Sequence, residues 1–194
     1  NQNNDGSVPQ DDDGFNNGLN YSLIDMNLNT GLGDVDTVEK NIPLVTYNPN
    51  DTEEIKYKCS EKITAVRAED CSSFWLITQF TNKFYAFKID VNGVNTTPVI
   101  STAGPNIPVE GYRRNSLGYL KASPDASKIL VAHFGEATIT AGDAGGSVYL
   151  FDFDNETGIV SNSLELYGVQ NNNSPYGVEF SAENKKAYAT IGLG

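Results

Sequence analysis

A two-part unit recurs along this chain and constrains its fold more than any single residue does. Each part reads as strand, polar turn, strand, and the tyrosines that lead the second part, Tyr21, Tyr85 and Tyr149, are spaced 64 residues apart. A recurring unit of this kind is the sequence signature of a repeat architecture. The first part covers residues 63–80, 120–134 and 176–190, and the second covers residues 21–35, 84–101 and 148–162.

Four short strands per repeat are the content of one β-propeller blade. The strand segments are rich in Val, Ile, Tyr, Phe and Thr, and sustained helical periodicity is nearly absent. We therefore predict an all-β protein, a β-propeller with four-stranded antiparallel blades. Propellers close with about four to eight blades, and this chain holds roughly three, so we expect part of a larger propeller of about seven or eight blades.

The expected domain boundaries follow the repeat. The chain should begin with an acidic, Asn-rich loop or extended segment, and the partial propeller should fill the remainder. The C-terminal TIGLG, an apolar strand running into glycine, indicates a cut through a larger domain. The predicted parts are the segment 1–20 and the partial propeller 21–194, divided into half blade 21–45, whole blades 63–101 and 118–167, and half blade 176–194.

Turn residues indicate where the hairpins reverse. Pro124 presets φ at the second position of a turn that Ser123 and Asp125 complete. In FDFDNETGI, Asp154 and Gly158 stand where a type I turn followed by a positive-φ residue is expected. Similar turns are predicted at residues 92–93 and 181–184.

The charge balance excludes two classes of partner. With 13 basic and 25 acidic residues, the formal charge of -12 opposes binding to nucleic acid or to anionic lipid, since both require a positive patch. No apolar stretch reaches the roughly 18 residues of a membrane span, so no direct membrane insertion is expected. The polar start lacks the features of a signal peptide, and we expect any export signal to have been removed or to lie outside this chain.

The ordered series of segments resembles the propeller region of large secreted surface proteins of Bacteroidetes. It runs from about Gly18 to Thr190 and includes GLNYSLIDMNLNTGLGDV, FYAFKIDVNGV, GYLKASPDASKILVAHFG, VYLFDFDNETGIVSN and PYGVEF. Such proteins often end in a gliding-motility-associated C-terminal sorting domain exported by type IX secretion, which this chain does not contain. The resemblance implies an extracellular or outer-surface location and a role in adhesion or scaffolding.

Three functions are compatible with these features. The first is a non-enzymatic extracellular binding, scaffold or adhesion module for a protein or glycan ligand, because the single His133 lacks the setting of a catalytic triad. We expect His133 to be a core or channel-edge side chain. The second is a fragment of a lactonase-like propeller hydrolase with a channel metal, for which Glu61, Asn115 and Glu179 are candidates. The third is a structural surface protein that oligomerises through open blade edges.

Two acidic groups have calcium-like spacing. Asp152, Asp154 and Glu156 alternate as at the start of a calcium loop, but Gly158 falls one place late and no distal glutamate follows in register. A solvated strand face and turn explains them better. The N-terminal aspartates allow calcium binding or an exposed, disordered loop. We predict no cofactor, with calcium as the alternative, and the N-terminal candidates are Asp5, Asp11, Asp12 and Asp13.

The long connection between the two whole blades is the best candidate for a partner contact. It carries Tyr112, Arg113 and Arg114, a positive pair on an acidic chain. The other expected partners are the remaining blades of the parent protein and further copies of the chain. Most other aromatic residues, Tyr176 among them, recur at equivalent blade positions and are expected to pack between sheets.

Two covalent modifications are considered. Cys59 and Cys71 flank the first strand of a predicted hairpin, and in an exported protein they form either a disulfide, which we favour, or two unrelated thiols. Asp36, Thr37 and Val38 match the short acceptor pattern for O-glycosylation in Bacteroidetes, so the resemblance makes Thr37 an O-glycosylation candidate. We read the glycine-rich segment AGDAGG as an inter-strand loop rather than a phosphate site.

Overall fold

Strands dominate the regular structure, and the all-β prediction is confirmed. The structure, a computed structural model, describes residues 18–109, 112–136, 145–168 and 173–193. Within them only three helices occur, each of four residues. The helices are Leu28–Gly31 (α1), Glu54–Tyr57 (α2) and Tyr112–Asn115 (α3).

The strands form antiparallel sheets in chain order. A small N-terminal sheet is followed by sheet I and sheet II, and a C-terminal sheet completes the series. The N-terminal sheet pairs Leu19–Tyr21 (β1) with Ile42–Leu44 (β4), and a separate ladder pairs Ile24–Asp25 (β2) with Asp34–Val35 (β3). Sheet I contains Ile63–Arg67 (β5), Phe74–Phe80 (β6), Lys83–Asp90 (β7), Gly93–Val94 (β8) and Val99–Thr102 (β9). Sheet II contains Leu120–Ala122 (β10), Lys128–His133 (β11), Ser147–Asp154 (β12) and Ile159–Tyr167 (β13). The C-terminal sheet pairs Asn173–Phe180 (β14) with Ala187–Leu193 (β15).

The same tight turn closes the first hairpin of sheet I, sheet II and the C-terminal sheet. Cys71, Ala126 and Asn184 each have a φ of 58° at this turn. Their amides donate to the carbonyls three residues earlier, over 3.1, 2.8 and 3.0 Å. The turn predicted at Asp154 is also present, since Gly158 has a φ of 79° and its amide donates to the Asp154 carbonyl over 2.7 Å. The sequence repeat is therefore a repeat of backbone conformation.

Alternating side chains bury both faces of sheet II. Ile129 and Val131 face sheet I, whereas Leu130 and Ala132 face the C-terminal sheet, as the two-residue period of a strand requires. Between sheets I and II, Phe84 meets Phe151 edge to face, with ring centroids 4.7 Å apart. The sheets are thus stacked face to face around separate apolar layers. A further layer joins the N-terminal sheet to sheet I through Leu44, Phe80, Tyr85 and Phe87.

The first strands of sheet I, sheet II and the C-terminal sheet lie side by side, and we call β5, β10 and β14 the inner strands. The Glu61 amide donates to the Ser116 carbonyl over 3.2 Å, and the Tyr119 amide donates to the Tyr176 carbonyl over 3.0 Å. These bonds join the starts of neighbouring inner strands. The described sheets do not close into a ring, so the propeller and its blade number stay predictions.

The predicted disulfide is not formed in the structure. Neither Cys59 nor Cys71 takes part in a disulfide. One precedes β5 and the other lies in the turn after it, and a strand extends about 3.3 Å per residue. The five residues of β5 alone therefore separate the two ends by far more than the roughly 7 Å limit for bridged Cα atoms.

Candidate functional site

A cleft of about 250 Å³ opens where the inner strands begin. Its wall comes from sheet I, sheet II and the C-terminal sheet, so no single sheet contains it. We refer to it as the inner cleft. Its lining residues are Glu61, Ile63, Gly118, Tyr119, Leu120, Lys121 and Tyr176.

Glu61 connects the three walls of the inner cleft. Its Oε1 accepts the Gly118 amide over 2.9 Å, and its side chain lines the same cleft as Tyr176. The negative charge of Glu61 is the main reason that the pKa of Tyr176 is raised. Gly118 has a φ of 132°, and a Cβ there would lie 2.0 Å from the Ala132 carbonyl oxygen. Only glycine therefore brings its amide to the carboxylate at this position.

Two tyrosines form the aromatic wall of the cleft. The rings of Tyr119 and Tyr176 lie 5.0 Å apart at 52°, and they remain 45% and 38% exposed. The assignment of Tyr176 to packing between sheets is therefore wrong in part, because its ring also faces solvent. The Phe134 ring contacts the Tyr176 ring edge to face, with an interplanar angle of 87° and centroids 6.1 Å apart. This contact supports the exposed ring against the body of the protein.

The polar residues suggested for a hydrolase are separated by the fold. Glu61 lines the cleft, and Glu179 pairs with Lys121 at its rim over 3.5 Å. Asn115 is instead buried, where its Nδ2 donates to the Pro108 carbonyl over 2.8 Å and its own carbonyl accepts Lys62 Nζ over 2.9 Å. Asn115 therefore supports the packing behind α3 and does not line the cleft.

A second polar group is buried between sheets I and II, and we call it the polar end of that layer. It contains the buried residues Lys62, His133 and Ser147 and the half-buried Glu136. Desolvation lowers the pKa of Lys62 to about 7. Desolvation, helped by the charge of Lys62, lowers the pKa of His133 well below its usual range. Burial raises the pKa of Glu136, although the Ser147 hydroxyl donates to its carboxylate.

His133 is a core side chain, one of the two positions predicted for it. It is fully buried, and neither ring nitrogen has a hydrogen-bond partner among the described residues. Ser147 lies directly opposite on β12, but its hydroxyl is bonded to Glu136. This geometry does not give a serine activated by a histidine base.

The predicted calcium residues are used in local structure. Asp152 binds Lys128 Nζ and accepts Asn162 Nδ2 over 2.7 Å. Asp154 Oδ1 accepts two amides of its turn, those of Glu156 and Thr157. Within the described residues, no three His, Cys, Asp or Glu side chains gather into a group that could hold a metal. The other candidates, Asp5, Asp11, Asp12 and Asp13, lie outside the described residues.

The remaining candidates occupy loops. Arg114 lies over the Phe134 ring at 5.0 Å and its Nη2 donates to Ser174 Oγ over 2.8 Å, so it joins sheet II to the C-terminal sheet. Thr37 is exposed, in a turn where Asp36 Oδ1 accepts the amides of Val38 and Glu39. Tyr112 and Arg113 begin α3, but their side chains lie outside the described part, as do four of the six residues of AGDAGG, 141–144.

The described helices are all too short to cross a membrane. The chain matches no family model, no curated protein and no solved structure.

Proposed function

We propose that this chain is a non-enzymatic binding or scaffold module of a secreted cell-surface protein, and that its stacked sheets are part of a β-propeller. One observation carries the proposal. Side chains from three successive sheets converge on the inner cleft, which is bordered by exposed tyrosines and a carboxylate that accepts a main-chain amide. Concave sites of this kind at the junction of several elements are typical of ligand binding.

The geometry favours recognition over turnover. The Glu61 carboxylate accepts the Gly118 amide of the sheet II wall, and this hydrogen bond orients it toward the cleft before any ligand arrives. The rings of Tyr119 and Tyr176 offer rigid surface with few rotatable bonds. A pre-organised site of this composition binds with a small loss of conformational freedom. The extracellular location is supported by the resemblance to secreted surface proteins and is part of the same proposal.

A binding screen combined with turnover assays tests the proposal. The chain and its Tyr119→Ala/Tyr176→Ala variant are exposed to arrays of extracellular proteins and glycans. We expect a ligand that the wild type retains and the variant loses, and we expect no turnover of lactones, esters or glycosides. Substantial hydrolysis that Glu61→Gln abolishes would contradict the proposal and favour the lactonase-like alternative. The location is tested by surface labelling of cells that produce the parent protein.

Self-association is a second candidate function, favoured by the exposed edge of the C-terminal sheet. Within the described residues β15 pairs only with β14, and residues 187–192 are all exposed. An open strand edge can pair with another chain. Sedimentation at increasing concentration should then show dimers, and Thr190→Pro on β15 should reduce them. A monomer at every concentration would refute self-association and leave the binding proposal unchanged.

A further inference from the structure

We propose that the inner cleft binds the guanidinium or alkylammonium group of a basic side chain on a partner polypeptide. This inference rests on the proposed function and names the chemistry of its ligand. Its elements are the two exposed tyrosine rings and the Glu61 carboxylate, which line one cavity of about 250 Å³.

The tyrosine rings supply the first attraction. Tyr119 and Tyr176 meet at a tilt of 52°, so their contact covers only part of each ring and leaves ring surface open to the cleft. A cation within about 6 Å of a ring centroid is attracted by the ring quadrupole. The Glu61 charge acts on the same Tyr176 ring, so the carboxylate and the ring face one ligand position.

The described residues already contain three contacts of this kind. Arg114 lies 5.0 Å from the Phe134 centroid, Lys88 lies 5.6 Å from that of Trp75, and Arg67 lies 6.0 Å from that of Phe74. The cation in the cleft lining, Lys121, is instead paired with Glu179. Its charge is thus balanced at the rim, and the carboxylate of Glu61 stays available for an incoming cation.

Charge favours a cation over an anion or a neutral sugar. The chain carries a formal charge of -12, which raises the local concentration of cations and speeds their approach. A sugar can stack on the same rings, but it does not gain from the carboxylate charge. A basic side chain gains from both the rings and Glu61, so it is the ligand that uses the whole lining.

The test compares two peptides that differ in charge alone. Ac-Gly-Arg-Gly-NH2 and its neutral citrulline analogue are titrated into the full chain at low salt, while the ring signals of Tyr119 and Tyr176 are followed by NMR. We expect the arginine peptide to shift both rings and to bind at least about tenfold more tightly than the citrulline peptide. Free arginine amide separates recognition of the side chain from recognition of the flanking backbone, and we expect it to bind more weakly at the same rings.

Variants assign the effect to the cleft. Tyr176→Leu keeps an apolar side chain without a ring quadrupole, and Glu61→Gln keeps the shape without the charge. Each should weaken the arginine peptide about tenfold while the melting temperature shows that the fold persists. Tyr188→Ala on β15 removes a tyrosine that is 56% exposed elsewhere and should leave binding unchanged.

Equal affinity for the arginine and citrulline peptides would overturn the inference. Maltose, a neutral sugar, is titrated in the same way, and ring shifts produced by maltose but not by the arginine peptide would also overturn it. Either result would still leave a ligand in the cleft and the binding module intact. Failure of the proposed function itself would give a different result, namely turnover of a lactone, ester or glycoside.

Discussion

The layer between sheets I and II contains two regions of opposite chemistry. Over most of its depth it is apolar, and Trp75, Phe84 and Phe151 are almost fully buried. At the polar end, Lys62 and His133 occupy equally buried positions with few partners. In the apolar region, removing apolar surface from water stabilises the fold. At the polar end, the desolvation of polar and charged groups offsets part of that stabilisation.

The comparison links packing to the inner cleft. Glu61 and Lys62 are consecutive, and the extended chain sends Glu61 to the cleft and Lys62 into the layer. The Lys62 ammonium is held by the Asn115 carbonyl, and its main-chain carbonyl accepts the Thr78 hydroxyl over 2.7 Å. Lys62, the neighbour of the cleft residue Glu61, therefore lies at the polar end of the layer, where burial stabilises the fold less.

The largest predicted effect comes from the apolar region. Phe151→Ala should lower the free energy of unfolding by about 3–5 kcal/mol, because it removes a fully buried ring and leaves a cavity beside Phe84. Urea denaturation measures the change. Phe74→Ala is the matched control, since its ring is 45% exposed, and it should cost less than about 1 kcal/mol. Equal losses at the two positions would show that the layer is not packed as described.

At the polar end, Lys62 should make stability rise with pH. Its pKa is about 7 in the folded chain and 10.5 when unfolded, so between these values the unfolded chain binds more protons. Stability should therefore increase from about pH 7 to pH 9, by at most about 1.4 kcal/mol per pH unit. Lys62→Met should flatten this slope in chemical denaturation across that range. A variant that keeps the wild-type slope would show that Lys62 is not its source.

His133 should cause a loss of stability as the pH falls below about 6.5. Its folded pKa lies below the unfolded value, so below 6.5 the unfolded chain takes up the proton first and stability is lost. Glu136 contributes the opposite sign above its usual pKa, because its folded pKa is raised. His133→Leu should reduce the loss between pH 6.5 and pH 5 by about 1 kcal/mol or more, measured by thermal and urea unfolding. An unchanged loss would show that His133 is not its source.

The local elements and one cleft residue, Glu61, were predictable from sequence, whereas the aromatic wall of the cleft was not. Strand runs and the turn chemistry around Ser123 and Gly158 identify hairpins because these signals act over a few neighbouring residues. The inner cleft needs Tyr119 and Tyr176 to meet across two sheets, which depends on how the sheets stack. The burial of Lys62 is equally non-local, and a lysine in a polar run gives no sign of it.

The smallest predicted effect lies at the repeated turn, outside both regions of the layer. Ala126 has a φ of 58°, which costs a residue with a Cβ about 1 kcal/mol. Ala126→Gly should therefore raise the free energy of unfolding by less than about 1 kcal/mol, because the buried Ala126 methyl is lost and glycine gains entropy in the unfolded chain. Asn184→Gly, at the equivalent position of the C-terminal sheet, should change stability less because asparagine tolerates this conformation. Chemical denaturation of both variants separates them. Destabilisation by Ala126→Gly of more than about 1 kcal/mol would exceed the loss of the buried methyl. It would show that this turn does not hold a left-handed residue, and the structural equivalence of the three hairpins would then fail at sheet II.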